Sequence, residues 1–309
     1  MSDELEIFPI IVRSRNRPVY LDVTLKSLTA SNIPDGVDLV VMDDCSDDEV
    51  AKRYVETDEI IELPDPCNWL GPDNKKWKGN VGNIVPVKQL VGIKSRYEIV
   101  QPEKRKGVKG GVFWAINYMF EHYPDAQAIN CIEGDAVFNA DWYEATVKGW
   151  RDKRDVKGPN GDHLGLLSCY DRKQKNRKGK MRSVWRSLRK LSSGRWNCGN
   201  GIGGVHYLVT REFWEKCEKG FHKEYPPGAR AGDTMIQGMC ANSDFSIACT
   251  APSYCQHIGI ESTAWPAKGW RYTKGFKKPF AFEARDENDV AYSEDWHKKP
   301  DPEKSEESA

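Results

Sequence analysis

Ala128-Ile129-Asn130-Cys131-Ile132-Glu133-Gly134-Asp135-Ala136-Val137-Phe138 is the stretch on which the reading of this chain turns. An apolar run ends abruptly in two carboxylates with one glycine between them, and Asp141-Trp142-Tyr143-Glu144 follows. The run is short and bounded by polar residues, so it reads as a buried strand. Residues two apart on an extended segment point to the same side, which puts Glu133 and Asp135 together. Carboxylates at the carboxyl end of a strand in an open α/β sheet stand where such sheets bind ligands. Two hard oxygen donors on one side suit Mg²⁺ or Mn²⁺ carrying a diphosphate. The competing reading is a solvated acidic turn after a strand.

The totals bound what surrounds that stretch. The 309 residues are enough for one large core or two small ones. Lys+Arg and Asp+Glu balance at 46 each, so only the distribution of charge can point to a partner. No apolar run has transmembrane length, and Met1-Ser2-Asp3-Glu4-Leu5-Glu6 is acidic where a secretory leader would be basic. The nine cysteines form no CxxC pair, which fits reduced thiols in a cytoplasmic protein better than a disulfide frame. Cys131, Cys169 and Cys249 lie in apolar runs and are expected in the core.

Upstream, Ile7–Val12 reads as a first strand that breaks at Arg13-Ser14-Arg15-Asn16-Arg17-Pro18. Pro18 suits a first helical turn, and Leu21, Leu25 and Leu28 follow at helical spacing. Val37–Met42 is a second strand running into Asp43-Asp44-Cys45-Ser46-Asp47-Asp48. Strand, helix, strand predicts a parallel βαβ unit. The acidic loop alternatively caps the next helix through Ser46 or Asp47. Residues 63–92, rich in Gly, Pro, Asn and Lys, read as a long insertion. Tyr97–Val100 reads as a short strand. Gly107-Val108-Lys109-Gly110-Gly111 leads to a helix over Val112–His122, and could hold phosphate at the helix N-terminus.

Downstream, Trp142–Trp150 reads as a helix, Leu164–Cys169 as a strand, and Val205–Val209 as another, with Thr210 capping a helix over Arg211–Glu218. Met235–Ala241 and Ile247–Pro252 read as a late helix and strand. The stretch from Arg172 to Arg195 is strongly basic, with Trp185 and Trp196 interleaved. It is either a solvated loop or a surface for a polyanion, with Arg on phosphates and Trp stacking on bases or sugars. From about residue 285 the composition predicts disorder.

Taken in order, these pieces resemble a GT-A-fold glycosyltransferase. The similarity is to the N-acetylglucosaminyltransferase I-like group, with features shared by bacterial and viral family-2-like enzymes. Asn16-Arg17-Pro18-Val19-Tyr20-Leu21 with Thr24-Leu25-Lys26-Ser27-Leu28 resembles the family's opening. Val40–Asp47 is similar to its nucleotide-contacting acidic loop. Trp114-Ala115-Ile116, Glu133-Gly134-Asp135 and Asp141-Trp142 resemble the helix, the metal motif and its sequel. Gly203-Gly204-Val205-His206-Tyr207 through Phe213-Trp214 looks like the acceptor-side strand and helix. The resemblance spans Ile7 to Ser262 and departs at Gly134, where the family places an acid. It implies a mixed, mostly parallel, Rossmann-like α/β sheet flanked by helices. Residues 1–262 would form one domain, carrying the 63–92 insertion and a basic loop over 171–196. Residues 263–309 would form a C-terminal extension.

The resemblance further implies a metal-dependent, inverting transfer of a hexosyl or N-acetylhexosaminyl group from a nucleoside-diphosphate sugar, typically a UDP-sugar. Asp135 and His257 would hold Mn²⁺ or Mg²⁺, and imidazole ligation favours Mn²⁺. Ser14, Arg17, Asp44, Lys109 and Glu133 would line the donor side. Asp233 would be the catalytic base, where the competing role is helix capping. Gly203, Gly204, Trp185 and Trp196 would face the acceptor, a modified DNA base or another polyanion. A nucleic-acid-binding protein on a decayed transferase fold and a sugar nucleotidyltransferase are the rival readings. The second is expected to carry a glycine-rich loop where this chain has Arg13 to Pro18.

Overall fold

In the computed structural model the described residues are 6–47, 49–56, 97–155, 163–170, 185–186, 204–224, 232–241, 243–250 and 254–257. The 63–92 insertion, most of the basic stretch with Trp196, Gly203 and the C-terminal extension lie outside them.

The first strand, β1, covers Ile10–Ser14, and β2 covers Leu39–Asp43. Both are nearly continuous apolar runs because both faces of a parallel sheet are covered. Between them α1 runs Pro18–Thr29, with Pro18 in its first turn and Leu21, Leu25 and Leu28 buried. Helix α2 is Glu49–Glu56, β3 is Tyr97–Val100, and α3 is Gly107–His122. The helix expected from Val112 thus starts five residues earlier, and the glycine-rich run forms its first turns. Next come β4, Ala128–Glu133; β5, Ala136–Phe138; α4, Trp142–Arg154; and β6, His163–Ser168. The basic stretch contributes a two-residue strand, β7, at Trp185–Arg186. The remainder is β8, His206–Thr210; α5, Arg211–Glu224; α6, Gly232–Ala241; β9, Phe245–Cys249; and β10, Cys255–His257.

Eight strands form one mixed, mostly parallel sheet in the order β3-β2-β1-β4-β8-β6-β9-β7. β1 pairs in parallel with β2 on one side and with β4 on the other, while β8 runs antiparallel between β4 and β6. β7 runs antiparallel along β9, which places Trp185 and Arg186 at one sheet edge. Chain order reverses between β1 and β4, which opens a crevice beyond their carboxyl ends.

Two apolar clusters fill the faces of the sheet. One holds Leu25, Leu28, Tyr54, Trp142, Tyr143 and Trp150 from α1, α2 and α4. The other holds Ile116, Met119, Phe213, Trp214, Ile236 and Met239 from α3, α5 and α6. Burial of each such side chain contributes about 1.5–3 kcal/mol. Cys131, Cys169 and Cys249 are buried as expected.

A second small sheet is the feature that periodicity did not reveal. β5 and β10 pair antiparallel, with His257 opposite Ala136. The other edge of β5 is held by α1: the Ala136 and Phe138 N–H groups donate to Thr24 Oγ1 and Ser27 Oγ at 3.1 and 3.3 Å. Two buried hydroxyls on a helix thereby satisfy strand donors that would otherwise be orphaned.

Candidate functional site

The crevice between β1 and β4 is a pocket lined by Arg13, Ser14, Arg15 and Arg17 at and beyond the end of β1, Met42 and Asp44 at the end of β2, and Glu133, Gly134 and Asp135 at the end of β4. Arg105, Gly107, Val108 and Gly111 close it from the α3 side, and His257 from β10. Ser14, Arg17, Asp44, Glu133, Asp135 and His257, all singled out from sequence, therefore meet in one place. Of Lys109 the backbone lies in the first turn of α3, and its side chain falls outside the described ones. Asp233 is the second residue of α6, likewise without a described side chain. Gly204 lies just before β8 and is absent from the pocket lining.

The centre of the pocket is Asp135, 6% exposed. Its Oδ2 accepts from Arg17 Nη1 at 2.5 Å and faces His257 Nε2 at 3.1 Å. Its Oδ1 is buried with no hydrogen-bond partner among the described residues. Glu133 stands beside it, 3.4 Å from Arg13 Nη2. One ligand atom each from Glu133, Asp135 and His257 lie within 4.8 Å of one another. These are two carboxylates and an imidazole, a donor set that fits Mn²⁺ or Mg²⁺.

Burial, the largest influence on the Asp135 carboxyl, pushes its pKa up. His257 and Arg17 together outweigh that and hold it well below the ordinary range. Burial likewise lowers the His257 pKa, but Asp135 reverses the sign and the net shift is upward. The pair is one interaction seen from two sides, and its contribution has a window. It is present above the ordinary carboxylate pKa and fades as pH falls through the lowered one. It is complete below the ordinary imidazole pKa and is lost as pH rises through the raised one.

The acidic loop after β2 works differently from a cap for the helix that follows it. Asp44 Oδ1 and Oδ2 accept from the N–H groups of Lys106 and Gly107 at 2.6 and 2.8 Å. The carboxylate thus occupies the start of α3, where sequence suggested a phosphate. Ser46 and Asp47 reach back to the loop after β1. Ser46 Oγ accepts from Asn16 N–H at 2.9 Å, and Asp47 pairs with Arg15 at 2.7 Å and with the Asn16 side chain. Asn16 and Cys45 both adopt positive φ, 52° and 54°, so the two pocket loops turn sharply where they meet. His206 is fully buried. Its Nδ1 accepts from Cys169 N–H at 3.0 Å, and its Nε2, 3.1 Å from Asn130 Oδ1, carries the proton. That histidine is a core residue.

Gly134 explains the missing middle acid. Its N–H donates to Arg13 O at 2.8 Å, and a Cβ there would lie 3.0 Å from Arg13 O and 3.1 Å from Ser14 Cβ. Backbone crosses backbone at this point, leaving no room for a side chain. Gly134→Ala is expected to cost about 1–3 kcal/mol, as overpacking of a close contact does. Chemical denaturation checks this; an unchanged midpoint would show that the two loops can part.

No protein-family model matches the sequence, and no curated protein matches it. Solved structures do match by shape. One is a mannosyltransferase, PcManGT from Pyrobaculum calidifontis, in complex with GDP-Man and Mn²⁺. It is 14% identical over 84% of this chain and 58% of its own, with a TM-score of 0.50. Another is S. aureus TarS 1–349 in complex with UDP-GlcNAc, 13% identical over 83% of this chain and 62% of its own, with a TM-score of 0.43. The chain thus spans about three-fifths of the length of these two. The architecture is the GT-A fold, as the sequence resemblance implied.

Proposed function

We propose that this protein is a glycosyltransferase that takes a hexosyl or N-acetylhexosaminyl group from a nucleoside-diphosphate sugar, with a divalent cation at Glu133, Asp135 and His257. One observation carries the reading: the three ligand atoms converge beyond β1 and β4 of a GT-A sheet, around a buried carboxylate oxygen that has no hydrogen-bond partner among the described residues. A solvated acidic turn, the competing reading of that stretch, would not be 6% exposed. Mn²⁺ or Mg²⁺ bound there would act as a Lewis acid on the diphosphate. Arg17, Arg15 and Arg105 supply positive charge around the same pocket, where a departing diphosphate needs it. Ser14 and Asp44 stand at its walls, each with capacity for a further hydrogen bond to the nucleotide.

Asp233 is the proposed base. Its carboxylate would take the proton of the acceptor hydroxyl as that oxygen attacks the anomeric carbon from the face opposite the leaving diphosphate. The stereochemistry is then inverting. For the acceptor we favour a polyanion such as modified DNA, met by the Arg172–Arg195 stretch with Trp185 and Trp196, and by Gly203 and Gly204. Salt-sensitive affinity for duplex DNA tests this. Among the described residues no helix is long and apolar enough to cross a membrane.

The deciding experiment is thermal stability with UDP, GDP and their sugar conjugates, each with Mn²⁺ and with a chelator. A ligand bound to the native state alone, at 100 times its Kd, stabilises by about 2.7 kcal/mol. A cation-dependent rise in Tm with one nucleotide is the expected outcome. No rise with any of them would favour the nucleic-acid-binding alternative.

A further inference from the structure

The metal centre is already charge-balanced by its own chain. Each carboxylate carries an arginine, one from the end of β1 and one from the start of α1: Arg13 stands 3.4 Å from Glu133, and Arg17 2.5 Å from Asp135. The second pair is close and well sheltered, with side-chain exposures of 19% for Arg17 and 8% for Asp135. Arg17 and His257 share Asp135 Oδ2, so that oxygen is saturated, while Oδ1 has no hydrogen-bond partner among the described residues. A divalent ion reaching Asp135 would therefore meet a guanidinium on the neighbouring oxygen. Like charges at that separation in a poorly solvated pocket repel strongly. The guanidinium has to leave, and it leaves readily only for another anion. A diphosphate is that anion, since its oxygens match the planar fork of donors as well as a carboxylate does.

We infer that Arg17 is a positioning residue that blocks the cation at Asp135 until a nucleoside diphosphate takes over its guanidinium. The inference rests on the metal-centre reading above. Its consequence is reciprocal coupling: the ion and the diphosphate each bind weakly alone and tightly together, by the same factor in either order. Arg17 then does two things in sequence, holding Asp135 in place and charged before loading and clamping a phosphate after it.

The test is Mn²⁺ titration of the full-length protein followed by electron paramagnetic resonance of the free ion, alone and with UDP or GDP. In the wild type either the UDP or the GDP addition should tighten Mn²⁺ binding at least ~10-fold. Arg17→Gln should bind Mn²⁺ alone ~10-fold or more tighter than wild type, and its gain on adding nucleotide should shrink below ~3-fold. Arg17→Lys keeps the charge and should keep most of the coupling. Arg17→Gln binding Mn²⁺ alone no tighter than wild type would overturn the inference. So would a wild type whose Mn²⁺ affinity ignores both nucleotides, a result that stands even if the variant fails to fold. Asp135→Asn in the same titration separates the two ideas. If it abolishes Mn²⁺ binding while Arg17→Gln changes nothing, only the role of Arg17 fails. If Asp135→Asn binds Mn²⁺ as the wild type does, the metal centre itself fails and takes this inference with it.

Discussion

Asp135→Asn is expected to lower cation-dependent nucleotide affinity by ~100-fold or more, since even outer partners of metal ligands cost 10–100-fold when changed. The substitution keeps the size of the side chain and removes its charge, so it leaves the packing around β4 and β5 in place. Without the carboxylate, Arg17 and His257 lose their shared partner. Arg17 is partly exposed and keeps access to water, and His257 can shed its proton. The fold should therefore lose much less than the several kcal/mol typical of breaking a fully buried pair. The measurement is nucleotide binding by calorimetry with Mn²⁺ and with a chelator, alongside a thermal melt. Affinity in Mn²⁺ should fall to the chelator level of the wild type. Retained cation dependence would remove Asp135 from the centre.

Asp233→Asn is the second large effect, and it should fall on the chemistry alone. Loss of a positioned general base costs about 10²–10⁴-fold in rate. Asp233 lies in the first turn of α6, where a negative charge is also worth about 0.3–1 kcal/mol through the helix dipole. The two roles separate cleanly. A base predicts collapse of transfer with nucleotide affinity unchanged, whereas a dipole partner predicts a small drop in Tm with transfer intact. Single-turnover transfer from the donor identified by the thermal panel distinguishes them, and near wild-type transfer would exclude Asp233 as base.

Much of the architecture was legible because parallel strands buried on both faces announce themselves as apolar runs. β1, β2 and β4 were found within a few residues, as was α1 from Pro18 and its leucine spacing. Helix starts were read less well. α3 begins at Gly107 because its cap, Asp44, lies 63 residues upstream in the chain, and no local signal carries that. The capping tendency of Ser46 and Asp47 was real chemistry spent elsewhere, on the loop after β1. Asp135 was legible from the abrupt end of an apolar run. The place of His257 was implied by resemblance alone, because β5 and β10 have three residues each and too few positions to show a period. Thr24 and Ser27 looked like ordinary helix residues, yet their hydroxyls hold β5. Gly134 looked like a lost acid and is a close crossing of two backbones.

The pairing of β10 with β5 also sets when the site can come into being. Glu133 and Asp135 leave the ribosome long before their imidazole partner, which is 122 residues behind Asp135. At ~5–20 residues per second this is a wait of about 6–24 s. During that interval the nascent chain offers two carboxylates and their arginines, a weak and open trap for any cation. The proposed cation centre is completed only when one of the last described strands docks, so a chain truncated before residue 255 would keep most of the sheet and lack one of the three proposed ligands.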